Sequence, residues 1–150
     1  MSFFEAAVKI VLGVEKGFQK DPHDKGNWTS GKVGVGELRG TKGGISAAAY
    51  PNLDIEHLTD GQINDLYQRD YWNPCGCERM PWERALCVFD CAVNEGVGVA
   101  RSLSAIARDV EHFMADRANR YAKDPTFGRY GEGWDVRLFT VFKAAQVTPP

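Results

Sequence analysis

Apolar residues recur at helical spacing along most of this chain and lose that spacing over residues 17–46. Across residues 2–16, Phe3, Phe4, Ala7, Val8, Val11 and Val14 form a stripe with Glu5 and Lys9 off it, which predicts a helix with one buried face. Glu15 falls at the C-terminal end of that helix, near the edge of the apolar face. Thr59-x-x-Gln62 is a capping box, and it opens a predicted helix with Ile63, Leu66, Tyr67, Asp70 and Tyr71 on one side. Pro81 at a first helical position opens another, striped by Trp82, Ala85, Leu86, Phe89 and Val93 and closed by Gly96. Residues 99–123 continue as two helical segments with Val99, Leu103, Ile106, Ala107, Val110 and Phe113 inward, stopped by Lys123-Asp124-Pro125. Residues 127–134 read as a turn, and residues 134–145 as a last helix with Val136, Phe139 and Phe142 among its apolar positions.

The exceptional stretch is rich in glycine, and Val33 and Val35 alternate within it, which suits short strands and tight turns. Residues 47–54 read as a short helical turn closed before Pro51. The expected fold is mainly α, of α+β type, with a small β-hairpin region near residues 27–45. At 150 residues, with no repeat and no linker, one domain spanning 1–150 is expected. Gly34 to Gly40 misses the dinucleotide-binding glycine spacing by one residue and follows no strong strand. Asp21, His23 and Asp24 suggest a calcium loop until Lys32 is found where the bidentate glutamate belongs.

Composition narrows the function classes. Hydrophobic content of 43% with 25% charged residues suits a water-soluble globular chain. Residues 1–100 carry 10 basic and 14 acidic side chains and residues 101–150 carry 8 and 6, so neither part has the basic footprint that a nucleic-acid partner needs. Stable membrane insertion is not expected, because no run of about 18 apolar residues occurs. A secretory signal is not expected either, since the N-terminus lacks a basic region and Glu5 and Lys9 interrupt its apolar run. Cys75, Cys77, Cys87 and Cys91 lie close enough to meet, as buried free thiols, as disulfides formed outside the cytoplasm or as a structural zinc site; a Cys-x-x-Cys knuckle is lacking.

The candidate chemistry sits around the glycine-rich stretch. A carboxylate at a helix end, Glu15, is followed within a loop's reach by Asp24 and by the Thr29 hydroxyl, a plausible acid/base constellation. Burial against apolar neighbours raises a carboxylate's pKa, as a general acid requires. Tyr71-Trp72 reads either as core or as an aromatic wall on which sugars stack. Asp90 and Asn94, four apart on an apolar helix, either cap neighbouring elements or line a cleft.

Several blocks resemble a known family. Glu15-Lys16-Gly17-Phe18 followed by Asp21-Pro22-x-Asp24-x-Gly26-x-x-Thr29 is similar to the signature of glycoside hydrolase family 108, N-acetylmuramidases that include phage endolysins. Gly44-Ile45-Ser46, Tyr71-Trp72, the helix from Pro81 to Gly96, Arg117-x-x-x-Tyr121 and Gly133-Trp134-x-x-Arg137 resemble later family blocks in the same order. The family usually passes directly from its threonine to Gly-Ile, whereas residues 30–40 intervene here, so Thr29 and Thr41 both claim that position; Thr29 keeps the distance from Asp24.

The resemblance implies a lysozyme-like fold and cleavage of the β-1,4 bond between N-acetylmuramic acid and N-acetylglucosamine in peptidoglycan. Glu15 would be the general acid, Asp24 would stabilise positive charge or act as the water's base, and Thr29 would hold that water. Tyr71, Trp72 and Asn94 would line the sugar site, and Asp90 would be structural. No cofactor and no metal are implied. A monomer is expected, made in a bacterial host's cytoplasm and acting in the periplasm, with passage through a holin-made lesion or, equally, by an unusual export route. A lytic transglycosylase using Glu15 alone, or a non-catalytic peptidoglycan-binding or secretion-activating module, is the alternative.

Overall fold

The structure is a computed structural model, and it describes residues 1–13 and 17–149. The chain divides into two compact units, one made of Met1–Val11 with Tyr67–Pro150 and the other of Leu12–Leu66.

The larger unit is helical. Helix α1 (Phe3–Val11) buries Phe4, Ala6, Ala7 and Val8, and α4 (Trp82–Glu95) is buried along almost its whole length, from Ala85 to Ala92. A helix apolar nearly all round belongs at the centre of a bundle. Accordingly α1, α5 (Val97–Ile106), α6 (Val110–Ala122) and α7 (Phe127–Ala145) all pack against α4. The Phe4, Trp72 and Phe89 rings meet edge to face with centroids 5.5–6.1 Å apart, an arrangement that aromatic quadrupoles favour. Arg84 Nη2 donates to the carbonyls of Ser104 (2.6 Å) and Ala107 (3.0 Å), which satisfies acceptors that the end of α5 leaves open. Gly96 ends α4 at φ 99°, as the glycine signal predicted.

A wide, π-type turn, Gln68–Trp72, precedes the short helix α3 (Asn73–Cys75), and the Asn73 N–H reaches back five residues to the Gln68 carbonyl. Pro74 explains the widening: it has no N–H for the Asp70 carbonyl four residues back, and its ring crowds that position.

The smaller unit carries the β structure. Strands β1 (Phe18–Gln19), β2 (Thr41–Lys42) and β3 (Ile45–Ser46) form an antiparallel sheet in that order, with Gln19 opposite Thr41 and Lys42 opposite Ile45. Gly43 and Gly44 join β2 to β3 at φ 54° and 77°, the two left-handed positions of a tight hairpin turn. A Cβ at Gly43 would also press within 3.0 Å of Ile63 on α2 (Asp60–Tyr67). That helix opens on the expected capping box: Thr59 N donates to Gln62 Oε1 at 2.9 Å, and Gln62 N to Thr59 Oγ1 at 3.2 Å.

Three sequence expectations need correction. Val33 and Val35 are not strand residues; both lie exposed in a loop, because Gly34 and Gly36 at φ 78° and 79° turn the chain between them, and the pairing there is a single bridge, Trp28 with Leu38. Residues 127–134 are helix rather than turn, since Gly131 lets α7 continue beneath the Phe127 ring. Inward positions also shift: Ile106, Val136 and Phe139 are exposed at 75%, 57% and 73%, and Leu138, Val141 and Ala145 carry the buried face of α7.

Candidate active site

Within the smaller unit the loop after β1 is built around two amides. The Asn27 side chain is fully buried; its Nδ2 donates to Gln19 Oε1 (2.6 Å) and to the Asp21 carbonyl (2.9 Å), and its Oδ1 accepts from Thr41 Oγ1 (2.7 Å) and Gln19 Nε2 (3.1 Å). Its backbone carbonyl takes the N–H groups of Arg39 and Gly40. A buried amide satisfied on every side fixes its surroundings, because any rearrangement strands a donor or acceptor away from water. Asn27 therefore clamps the loop to β1 and β2.

On that clamp stands Asp24, exposed to solvent. It caps the 3₁₀ turn Lys25–Asn27 from extended backbone, its Oδ1 accepting from Gly26 N at 2.8 Å, and its Oδ2 accepts from Gln19 Nε2 at 3.2 Å. One carboxylate oxygen is thus held by the backbone and the other by a side chain that the Asn27 clamp also orients. Asp21 shapes the same loop by accepting from His23 N at 2.9 Å. Beside β1 lies an open hollow of about 370 Å³ lined by Lys20, Leu38, Arg39, Asn52, Asp54, Ile55 and Glu56.

The two threonines do different things. Thr29 Oγ1 accepts from Glu37 N at 3.0 Å, and Thr29 N donates to Glu37 O at 2.9 Å, so Thr29 closes the loop of residues 30–36. Thr41 instead donates to Asn27 and is joined through it and Gln19 to Asp24. Glu15, the expected acid, lies outside the described residues. Sequence reasoning missed Gln19 and Asn27, since isolated amides carry no spacing pattern.

In the larger unit the expected sugar-site residues separate. Trp72 is 0% exposed, with its Nε1 donating to Glu78 Oε2 at 3.1 Å, so it is core and has no face to offer a pyranose ring. Tyr71 is half-buried, tilted against Tyr67 with centroids 5.4 Å apart. Asn94 is exposed, but its Oδ1 accepts from the Tyr121 hydroxyl at 2.6 Å. It sits at the margin of an ion-pair network. Arg117, fully buried, donates from Nη1 to Asp90 Oδ2 (2.8 Å) and from Nε to Glu95 Oε2 (2.9 Å), while Arg137 holds the other Asp90 oxygen at 2.9 Å. Burial opposes the Arg117 charge, but Asp90 outweighs it and keeps the guanidinium above its ordinary range; burial likewise pushes the Tyr121 phenol up. Asp90 is structural, as expected, although its partners are arginines from α6 and α7 rather than a helix end.

All four cysteines are buried free thiols, and among the described residues no group of three or more His, Cys, Asp and Glu is placed to hold a metal ion.

A small sheet carrying an anchored carboxylate loop, with a helical unit around a buried central helix, is the plan of a lysozyme-like glycosidase. The sequence profile described as Glycosyl hydrolase 108 matches residues 8–96, more than half of the chain, and the chain belongs to that family. It is therefore a glycoside hydrolase, from a family that hydrolyses peptidoglycan. A solved structure titled SagA of Brucella abortus is similar in fold, with a TM-score of 0.73 at 21% identity over 95% of this chain and 93% of that one. No curated protein matches. Among the described residues no helix is long and apolar enough to cross a membrane.

Proposed function

We propose that the chain is an N-acetylmuramidase that hydrolyses the β-1,4 bond between N-acetylmuramic acid and N-acetylglucosamine, with residues 1–150 acting as one catalytic domain. A glycosidic oxygen leaves poorly unless it is protonated as the bond breaks, and the sugar left behind carries oxocarbenium charge. In this reading Glu15 delivers the proton, and Asp24 stabilises the positive charge or takes a proton from the attacking water. The observation that carries it is the placing of Asp24, a solvent-facing carboxylate held by Gly26 N and Gln19 inside the family-matched span. Thr41 is favoured over Thr29 as the assisting hydroxyl, because Thr41 shares the Asn27–Gln19 hydrogen bonds with Asp24 whereas Thr29 is engaged by Glu37. Tyr71 and Asn94 remain the proposed sugar contacts.

The setting is proposed on the same basis: a monomeric phage-type endolysin made in the bacterial cytoplasm, reaching peptidoglycan through a holin-made lesion and lysing the host. Mass spectrometry of fragments released from purified sacculi tests the chemistry. The wild type should release products with free reducing N-acetylmuramic acid; at matched enzyme Glu15→Gln should release none, and Asp24→Asn should release them far more slowly. Anhydro products would make it a lytic transglycosylase, and binding to sacculi without release would make it a non-catalytic module.

A further inference from the structure

The larger unit holds a pair of nucleophilic groups that the hydrolase reading leaves unused. Cys75 ends α3, Gly76 follows at φ 69°, ψ 25°, and Cys77 opens the 3₁₀ turn Cys77–Arg79. The Gly76 conformation is close to the mirror image of a helical one, and a mirror image leaves distances unchanged. Residues two apart on a helix have Cα atoms about 5.4 Å apart by helix geometry. Cys75 and Cys77 therefore stand within the separation of roughly 4.4–6.8 Å that a disulfide bridges. The Cys77 thiol acts on Cys75 as a hydrogen-bond donor.

The four thiols differ in readiness. The Cys77 hydrogen bond lowers the Cys75 pKa against the opposing effect of burial, helped by the Arg101 cation, so Cys75 is the sulfur most readily present as thiolate. Burial pushes Cys87 up to about 12 and raises Cys91 further, which leaves both inert. Cys77 is raised by the same hydrogen bond, with burial adding to it. Cys75 is also the member with surface, 9% exposed against 0% for Cys77, and it follows the exposed residues Asn73 and Pro74.

We propose that Cys75-Gly76-Cys77 is a thiol–disulfide exchange site that closes to an intramolecular disulfide when it meets a small-molecule or protein disulfide. The Cys75 thiolate attacks one sulfur of the incoming disulfide and forms a mixed disulfide, displacing one thiolate. That thiolate takes up a proton as Cys77 loses its own. The Cys77 sulfur then attacks Cys75, closing the Cys75–Cys77 bond and releasing the second thiolate, which is protonated by the proton Cys75 gave up. Two cysteine thiols are oxidised and one disulfide is reduced to two thiols. The site is independent of the glycosidase chemistry, and it would respond to passage from a reducing to an oxidising compartment.

The test is mass spectrometry on the folded, full-length protein exposed to oxidised glutathione, quenched with acid, blocked with N-ethylmaleimide and digested with trypsin. The peptide 70–79 contains both cysteines. It should lose two hydrogens, carry no maleimide and no glutathione, and close about tenfold or more faster than Cys87 or Cys91 lose labelling, in line with thiolate availability. In Cys77→Ser the same peptide should trap one glutathione on Cys75, which shows the order of attack without requiring closure. A wild-type peptide that keeps two maleimides, retains glutathione, or closes only after denaturation would overturn the proposal.

Discussion

Replacing Asp90 by alanine removes the centre of the buried network, and its cost can be worked from the contacts. Arg117, with a fully buried side chain, would lose the partner 2.8 Å from its Nη1 and keep Glu95 and the Tyr121 hydroxyl. Arg137, 29% exposed, can turn towards water. Breaking a buried ion pair from one side costs about 3–5 kcal/mol, because the surviving charge is left desolvated. The retained Glu95 contact places Asp90→Ala near the lower end, about 3 kcal/mol. At roughly 2–4 °C per kcal/mol for a chain of this size, Tm should fall by about 6–12 °C. The Arg39–Glu37 pair is the internal control: its side chains are 37% and 69% exposed, and Glu37→Ala should cost at most about 1 kcal/mol. Thermal unfolding followed by circular dichroism measures both. If Asp90→Ala shifts Tm no more than Glu37→Ala does, the network contributes nothing and the argument fails. A double variant, Asp90→Leu with Arg117→Met, should recover much of the loss, since paired apolar replacements of buried ions are often neutral.

Other expectations follow from single sites. Asp24→Asn should lower turnover on peptidoglycan by about 10²–10⁴-fold, the usual worth of a positioned acid or base, with Tm nearly unchanged because the side chain is exposed. Trp72→Ala should cost about 3–5 kcal/mol of stability, measured by urea unfolding, as expected of a fully buried ring. Gly131→Ala places a Cβ 2.5 Å from the Phe127 ring and should destabilise by about 1–3 kcal/mol, whereas Gly133→Ala meets nothing within 4 Å and should stabilise α7 by up to about 1 kcal/mol. Asp109 caps α6, and the N–H of His112 holds its carboxylate below the ordinary range. A depressed folded pKa means a contribution present above the unfolded value and lost as pH falls through the folded one; Asp109→Asn should therefore lower Tm at neutral pH, leave it little changed in acid, and so flatten the acid limb of a Tm-against-pH curve.

Local signals were the legible ones. The Thr59–Gln62 box, the stripe of α4 and its Gly96 stop are set by residues within a turn of each other, so they can be read along the chain. Glycine was the ambiguous residue: it turned the chain at Gly34 and Gly36 but allowed close packing inside a helix at Gly131, and only the neighbour, Phe127, separates those uses. The Asp90–Arg117 pair spans 27 residues and the Thr41–Asn27 bond 14, distances at which a single sequence holds no pairing information. Asp24 was legible as a candidate, but the Gln19–Asn27 clamp beneath it was not, and that clamp distinguishes Thr41 from Thr29. Of the two readings of Trp72 the core one holds, and sequence left both open because an aromatic pair looks the same whether it faces sugar or core.

The larger unit is discontinuous: α1 belongs with residues 67 onward, while Leu12–Leu66 is a single uninterrupted piece. A ribosome emits α1 first and α4, the surface it packs on, only after the whole intervening unit has emerged. At about 5–20 residues per second this leaves α1 waiting for several seconds, its Phe4 and Val8 without their partners. The intervening piece, whose β2–β3 hairpin is local, can assemble during that wait. The first helix made is thus among the last to dock, and truncating or blocking it should leave the smaller unit's assembly untouched.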